Sequence, residues 1–473
     1  MNELLPVYLT GGLILSLTLS AILVFRNSFD PFAPVWLFLI GFSQVYVVQA
    51  LSYNEWAVSV HGGQMVESAN WRAFWAICVF LIAYQFGPGR WVAAKMPRAP
   101  VHWSMPALSG VVPVMLTWEF FCSVVMIVSG TTEQTSSGGH LLRQFYFMML
   151  GAGILLMVTG SRRDKPAPPI FWAGVGVSLS FVALWVFQGK RSPSLIGILA
   201  CACAFYGPRF KRPPMAVLAS LAVIGSLVVA VSLGWRNQRL YERTATGFVQ
   251  FLADFDPAST LVNLNLAEKE NPKAHRKEFR SKETEEYGGY LLMFSTVPER
   301  SEYDYGANYL RLVTSFIPRI FWPDKPLPGR DKWIAAWMAG SEFKRDETFT
   351  GPAIGILGAT QLNGGAVATA IVMTVLGILL RSGYEYYRKY QWTCWAQAWW
   401  ALTYYNAWLM TVNDDPFVWF YYIYGTSIMP PMVFLWVVNR FAETRSETQQ
   451  AKWIHNWQKS SKSIPVVSQP ARS

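Results

Sequence analysis

Long apolar runs recur along this sequence, and they constrain the fold more than any other feature. A run of about 18 or more apolar residues is the length that an α-helix needs to cross a hydrocarbon core of about 30 Å. The chain is 52% hydrophobic, 15% charged and 15% aromatic, which suits repeated crossings with aromatic residues at the membrane interfaces. The pattern predicts an all-α polytopic membrane protein.

We count about 11 transmembrane helices, with a range of 10–12. The range reflects a short span at 193–207 and the sequence Asn363-Gly364-Gly365, which interrupts a long apolar stretch. The predicted spans are 5–25, 33–51, 73–89, 106–128, 142–160, 169–187, 193–207, 214–235, 352–380, 395–412 and 417–438.

These spans divide the chain into four parts. Residues 1–235 form a membrane domain with spans one to eight, and residues 351–438 form a second one with spans nine to eleven. Residues 236–350 form a large external loop between them, and residues 439–473 form a basic tail.

Within the external loop, the apolar residues of 240–255 and of 305–317 recur at helical spacing, so each segment is expected to form an amphipathic helix beside the membrane. The segment 268–287 is densely charged with both signs, which predicts a solvated tip.

Lysine and arginine fall mainly on alternate connections between the spans. Thirteen of them lie in one set of connections, whereas the connections between these carry four. The positive-inside rule therefore predicts a cytoplasmic C-terminus, with the N-terminus and the loop 236–350 on the periplasmic side of a bacterial inner membrane. The richer set is 26–32, 88–105, 161–168, 208–213 and 381–394.

Several function classes are excluded at this stage. The external loop balances 17 basic with 17 acidic residues, so the net charge of +11 predicts no nucleic-acid binding. The chain has no Walker loop and no dinucleotide fingerprint. Its five cysteines and five histidines lack metal-ligand spacing, so neither a metal nor another cofactor is expected.

Basic residues at the external face are the candidates for substrate binding. Lys190 and Arg191 occupy "FQGKRSPS", a short external turn where the orientation rule disfavours positive charge. Arginine suits phosphate because its planar fork binds two oxygens. An ordinary surface turn is the alternative interpretation.

Two further basic segments follow the eighth span. Arg236 and Arg239 lie on one helical face in "WRNQRLYER", although lipid headgroup anchoring would explain them equally well. In "FIPRIFWPDKPLPGR", residues 316–330, the prolines hold the chain stiff around Arg319 and Lys325, and Arg311 lies just before. Interface anchoring by Phe321 and Trp322 is the alternative there.

Acid–base chemistry would require a carboxylate near the external face. Asp414 and Asp415 occupy a very short external turn, and either could act as a general base. Ordinary turn residues ahead of Pro416 are an equally good interpretation. Glu119, inside the fourth span, could mark a buried pair or a substrate route.

The "GKRS" turn, the large late loop, and "SFIPRIFWPDKP" followed by the glycine-rich "FTGPAIGILG" together resemble the bacterial oligosaccharide repeat-unit polymerases, the O-antigen polymerase (Wzy-type) family. The resemblance covers residues 140 to 440 and is sharpest over 305–358. It implies a metal-independent glycosyltransferase that joins undecaprenyl-pyrophosphate-linked oligosaccharides during O-antigen or exopolysaccharide biosynthesis.

In that family, external arginines grip the pyrophosphate. Lys190 and Arg191 match the arginine-bearing turn, and Arg319 and Lys325 match the motif of the late loop. The sequence departs from the related O-antigen ligases because it has no clear catalytic histidine; His275 falls in the charged tip.

The expected partners are the lipid-linked oligosaccharide, membrane lipids, a chain-length regulator and a flippase. Three other functions stay open. A transporter or flippase of lipid-linked glycan would predict internal symmetry and charges at mid-membrane. An O-antigen ligase would share the chemistry but use another acceptor. A scaffold subunit would use its basic residues only as anchors.

Overall fold

The computed structural model describes residues 3–23, 29–129, 147–162, 165–237, 241–242, 244–256, 286–307, 309, 322, 353–412 and 427–443. These residues are 81% helical and contain no β-strand, which confirms the all-α class.

In chain order the helices of the described residues are α1 (Leu5–Leu23), α2 (Pro34–Ser43), α3 (Ala50–Ser52), α4 (Asn54–His61), α5 (Gly63–Phe86), α6 (Gly89–Lys95), α7 (Met105–Ser129), α8 (Phe147–Gly160), α9 (Pro168–Phe187), α10 (Arg191–Tyr206), α11 (Met215–Asn237), α12 (Ala245–Asp254), α13 (Glu286–Thr296), α14 (Gly355–Tyr390), α15 (Cys394–Thr403), α16 (Asn406–Val412) and α17 (Met429–Glu443). A π-helical segment, Gln44–Gln49, joins α2 to α3.

Seven helices of the described residues are long and apolar enough to cross a membrane. They are α1, the continuous helix Pro34–Ser52, α5, α7, α9, α11 and α14. The helices α8 and α10 are apolar but shorter. The polytopic class is therefore supported, while the number of eleven spans stays a prediction. The predicted single span 395–412 differs from the structure, because α15 and α16 are separate short helices.

Hydrogen bonds between distant segments define the two ends of the bundle. At one end, the side-chain amide of Asn70 donates to the carbonyl oxygen of Glu3 at 2.8 Å. At the other end, the Glu443 carboxylate accepts the backbone N–H groups of Val101 and His102. We refer to these as the Glu3 end and the Glu443 end.

The remaining helices alternate between these ends. Trp103 donates to the Thr159 hydroxyl at 3.0 Å, so α8 finishes at the Glu443 end, where α9 begins. Twenty residues of α9 rise about 30 Å, which places Phe187 at the Glu3 end. Four of the connections predicted to be cytoplasmic, together with Asp30 of the fifth, meet at the Glu443 end. Which side of the membrane that end faces stays a prediction.

Close packing of α5 against α14 forms the centre of the bundle. A Cβ placed on Gly377 would lie 2.8 Å from the carbonyl oxygen of Phe80, so only a glycine permits this approach. Phe38 of α2 stacks on Phe80 with ring centroids 3.7 Å apart, and both side chains are fully buried. This contact fixes three apolar helices around one core.

The helix α13 of the large loop is buried among the membrane helices. Tyr287, Tyr290 and Leu291 have no exposed surface, and they pack against α5, α14 and the π-helical segment. The prediction of a solvated tip over 268–287 is therefore wrong for Glu286 and Tyr287. Gln49 donates a hydrogen bond to the Glu286 carboxylate, and Asn70 accepts one from the Tyr287 hydroxyl. No periodicity in the loop sequence could indicate these distant partners.

Candidate functional site

The turn between α9 and α10 holds the first two predicted binding residues. Gly189 has a φ of 68°, a conformation that glycine adopts without strain, and the Lys190 amide donates to the Trp185 carbonyl at 3.0 Å. The helix α10 begins at Arg191, with Lys190 as its N-cap residue. Both basic residues therefore lie at a helix N-terminus, whose partial positive charge favours a bound anion.

Arg236, near the end of α11, lies against this turn. A Cβ placed on Gly189 would be 3.0 Å from the Cβ of Arg236. The neighbouring indole N–H of Trp235 donates to the carbonyl oxygen of Phe187 at 2.6 Å. The structure thus brings together basic residues that the sequence carries on two separate segments. We refer to Lys190, Arg191 and Arg236 as the basic turn cluster.

The basic turn cluster has the electrostatics of an anion site. Lys190 is exposed, and Arg191 and Arg236 are partly exposed. Within the described part of the chain, no carboxylate forms an ion pair with Arg191. Basic side chains beside a helix N-terminus favour a bound anion, and the guanidinium of Arg191 can give that anion two parallel hydrogen bonds.

An aromatic cluster packs beside the basic turn cluster. The Trp235 ring lies 5.1 Å from the ring of Phe248 and 5.4 Å from that of Phe251, and Phe187 lies 5.5 Å from Phe248. These contacts hold α12 against the ends of α9 and α11. Arg236, next to Trp235, is therefore attached to a rigid base.

The opposite face of α12 is also apolar. Val249 is 65% exposed and Leu252 is 42% exposed. The helix begins at the cap residue Thr244, whose hydroxyl accepts the N–H of Gly247 at 3.2 Å. The amphipathic helix predicted over 240–255 is thus observed in part, as Ala245–Asp254. Its phenylalanines face the protein and its aliphatic residues face outward. Apolar surface therefore lies close to the basic turn cluster.

The other predicted site residues lie outside the described residues. These are Arg239, Arg311, Arg319, Lys325, Asp414 and Asp415. Their roles stay predictions.

A second group of polar residues surrounds a break in α14. Gly364 and Gly365 have φ values of 150° and 60°, so the helix is interrupted where the sequence predicted it. Loop residues cover the break: the Asp304 amide donates to the Leu362 carbonyl at 2.8 Å, and the Gly306 amide donates to Asn363 at 3.1 Å. The first bond satisfies a backbone carbonyl that the broken helix would leave without a partner, and the second is accepted by the side-chain oxygen of Asn363.

Arg72 of α5 lies beside this break. Its Nη1 donates to the side-chain oxygen of Gln361 at 2.9 Å, and its guanidinium lies 5.0 Å from the ring centroid of Phe294. The Gln361 amide donates in turn to the Val297 carbonyl at 2.6 Å. Arg72 thus links α5, α13 and α14 at the Glu3 end.

A buried hydrogen-bond network connects α13 to the π-helical segment. The amide of Gln49 donates to the Glu286 carboxylate at 2.6 Å and accepts the backbone N–H of Tyr287 at 3.0 Å. The Tyr287 hydroxyl donates to Asn70 at 2.8 Å. π-Helical segments often occur at functional sites, and this one turns Gln49 towards the loop.

Sequence reasoning did not select Arg72, Glu286 or Asp304. Arg72 is the first charged residue before a predicted span, which is a weak signal because such residues often anchor a helix. Glu286 and Asp304 lie in a loop with 17 acidic residues, so nothing in the sequence separates them from solvated carboxylates. Their burial is the distinguishing property, with 6% and 7% of their surfaces exposed.

Glu119 in α7 is 1% exposed, and its carboxylate accepts a hydrogen bond from the Ser123 hydroxyl at 3.4 Å. Glu119 lies on a different helix from the residues of the basic turn cluster and from Arg72. Across the described residues, no three His, Cys, Asp or Glu side chains are grouped as a metal site would require.

No protein-family model matches this chain, and neither a curated protein nor a solved structure is significantly similar to it.

Proposed function

We propose that this protein polymerises undecaprenyl-pyrophosphate-linked oligosaccharide repeat units at the outer face of a bacterial inner membrane. The observation that carries the proposal is the basic turn cluster, where Gly189 and Arg236 bring two basic segments into contact. Basic side chains, a helix N-terminus and nearby apolar surface for the lipid all favour the binding of a lipid-linked pyrophosphate.

The reaction is a glycosyl transfer. A hydroxyl oxygen of the acceptor sugar forms a bond to the anomeric carbon of the donor chain, and the bond from that carbon to the pyrophosphate oxygen breaks. The electron pair leaves with the pyrophosphate, and the hydroxyl proton passes to a base. The leaving group gains negative charge at the transition state, so Lys190, Arg191 and Arg236 stabilise it more than the ground state.

The reaction needs no nucleotide, because the glycosyl pyrophosphate is already activated. In this proposal Arg239, Arg311, Arg319 and Lys325 extend the cationic surface, and Asp414 or Asp415 accepts the proton. Membrane lipids surround the protein, and a flippase and a chain-length regulator act before and beside it.

A transporter of lipid-linked glycan is a second candidate. The observation that favours it is the break of α14 at Gly364 and Gly365, because interrupted helices lined by polar groups form the substrate sites of many transporters. Residues Asp304 to Gly306 of the external loop cover this break through two backbone N–H groups. That cover favours a fixed attachment point for the loop over a transport site.

Deletion of the gene separates these functions. We expect single repeat units to reach the outer face of the membrane in the deletion strain, with long chains lost. Repeat units retained on the cytoplasmic side would favour the transporter. Persistence of long chains would overturn the polymerase.

Single substitutions then test the pyrophosphate site. We expect Arg191→Ala and Arg319→Ala each to abolish chain growth at an unchanged protein level. The matched control is Arg90→Ala, at the Glu443 end, where the side chain is 69% exposed and pairs loosely with Glu385 at 3.4 Å. Normal polymer from both Arg191→Ala and Arg319→Ala would refute the site.

A further inference from the structure

Arg72 is a charged residue in an apolar helix. It lies in α5, one of the candidate membrane spans, and it is partly buried. Arginine stays protonated in proteins, so the charge of Arg72 must be either solvated or compensated where it lies. A charged side chain in such a segment is costly, and it usually serves a binding role or pairs with an opposite charge.

Among the residues that the structure describes, no carboxylate lies within ion-pair distance of Arg72. The Glu286 carboxylate is held by Gln49. The described partners of Arg72 are one neutral amide oxygen, of Gln361, and the ring faces of Phe294 and Trp75. These contacts fix the guanidinium but use few of its five N–H donors.

Gln361 is itself immobilised, because its amide nitrogen donates to the Val297 carbonyl at 2.6 Å. It therefore presents its oxygen to Arg72 in one orientation. A cation held in this way loses little conformational entropy when an anion binds.

We infer that Arg72 binds a phosphate of the second lipid-linked oligosaccharide, the acceptor. This inference rests on the proposed function, in which two lipid-linked molecules meet at one face of the membrane. The basic turn cluster lies at the start of α10 and the end of α11, whereas Arg72 lies among α5, α13 and α14. Both are at the Glu3 end. The protein thus has two separate cationic positions for two substrates.

The number of cations at each position suits this assignment. The donor releases its pyrophosphate, which gains charge during the reaction and requires several cations. The acceptor keeps its pyrophosphate intact, so its phosphate needs positioning without additional charge stabilisation. A single fixed arginine is sufficient for that purpose.

Binding stoichiometry tests the inference. The full-length protein is placed in phosphatidylcholine nanodiscs, and geranylgeranyl pyrophosphate is titrated as the probe. We expect two sites per chain in the wild type. In Arg72→Gln we expect affinity at one site to fall by about tenfold or more, the loss typical of a charge-assisted hydrogen bond. Arg72→Lys should retain part of it, and Arg90→Gln should retain both sites.

Two outcomes overturn the inference directly. The first is a folded Arg72→Gln protein that keeps both sites with unchanged affinity. The second is a titration in which the Arg191→Ala variant and the Arg72→Gln variant each lose the same one binding site.

A measurement on the wild-type protein does not depend on the folding of any variant. Phenylglyoxal modifies arginine, and mass spectrometry reports the modified fraction of Arg72. We expect geranylgeranyl pyrophosphate to protect Arg72 and the alcohol geranylgeraniol to leave it reactive. Equal protection by inorganic pyrophosphate, or by phosphatidylglycerol in the nanodisc, would overturn the lipid-linked assignment. Modification unaffected by the probe would overturn phosphate binding altogether.

The two proposals fail in different ways. Long chains persisting in the deletion strain would remove the polymerase, while the number of binding sites would be unaffected. Loss of the Arg72 site from the binding data would leave donor binding at the basic turn cluster intact.

Discussion

Gly189 packs against Arg236 so closely that a methyl group on the glycine would lie 3.0 Å from the arginine Cβ. The contact joins the turn after α9 to the end of α11. Because Gly189 also has a φ of 68°, two independent constraints favour glycine at this position.

We therefore expect Gly189→Ala to destabilise the protein and to weaken chain growth. The left-handed conformation costs about 1–2 kcal/mol for a residue with a Cβ, and the added methyl group displaces Arg236. Thermal unfolding in detergent and polymer length in cells are the measurements. Gly176→Ala is the control, because a methyl group at this site on α9 meets no atom within 4 Å. An unchanged melting temperature in Gly189→Ala would contradict the constraint.

Trp235→Phe tests the attachment of the turn to α11. The substitution keeps an aromatic ring but removes the N–H that donates to Phe187 at 2.6 Å. We expect a loss of about 1 kcal/mol in stability and reduced polymer, because the turn is less firmly held beside Arg236. Trp172→Phe is the matched control, since Trp172 is 63% exposed. Equal effects of the two substitutions would argue against a positioning role.

Glu443→Ala tests the anchoring of α17 at the Glu443 end. The carboxylate accepts the N–H groups of Val101 and His102 and pairs with Arg440 at 2.8 Å. Its removal leaves two backbone donors without their partner, and we expect a loss of about 1–3 kcal/mol, seen as a lower melting temperature. The exposed Glu302 provides the comparison, where alanine should change stability by less than about 0.5 kcal/mol.

His61 should make stability depend on pH. It lies at the end of α4, next to Trp56, and burial lowers its pKa below the usual value of 6.5. As pH falls below that value, the unfolded chain takes up a proton at His61 before the native protein does. Stability therefore decreases as pH falls from 7 towards the native pKa.

The measurement is the melting temperature at several pH values between 5 and 8, for the wild type and for His61→Gln. We expect the substitution to flatten the dependence in this window. Parallel curves for the two proteins would show that His61 does not contribute.

Helix positions could be predicted from the sequence because membrane crossing imposes a length and an apolar composition on each span. The interruption at Gly364 and Gly365 was predictable for a related reason, since adjacent glycines are poor helix formers. Lys190 and Arg191 were selected because two basic residues in so short a turn run against the predicted charge pattern, and their binding role stays a prediction. In each case the signal lies within a few consecutive residues.

The second polar group could not be predicted, because its partners are far apart in the chain. Gln49 and Glu286 are separated by 237 positions, and Arg72 and Gln361 by 289. A single amide inside an apolar run does not indicate which segment will satisfy it. The burial of α13 was hidden for the same reason: tyrosines and glycines in "EYGGYLLMF" suit a membrane interface as well as a core.

The hydrogen bond between Tyr287 and Asn70 has a consequence for how the protein is made. The two residues are 217 positions apart. At synthesis rates of about 5–20 residues per second, Asn70 enters the membrane roughly 10–40 s before its partner leaves the ribosome. During that interval the polar face of α5 must be shielded by water, by lipid headgroups or by the insertion machinery. The early helices can therefore reach their final packing only after the large loop has been synthesised.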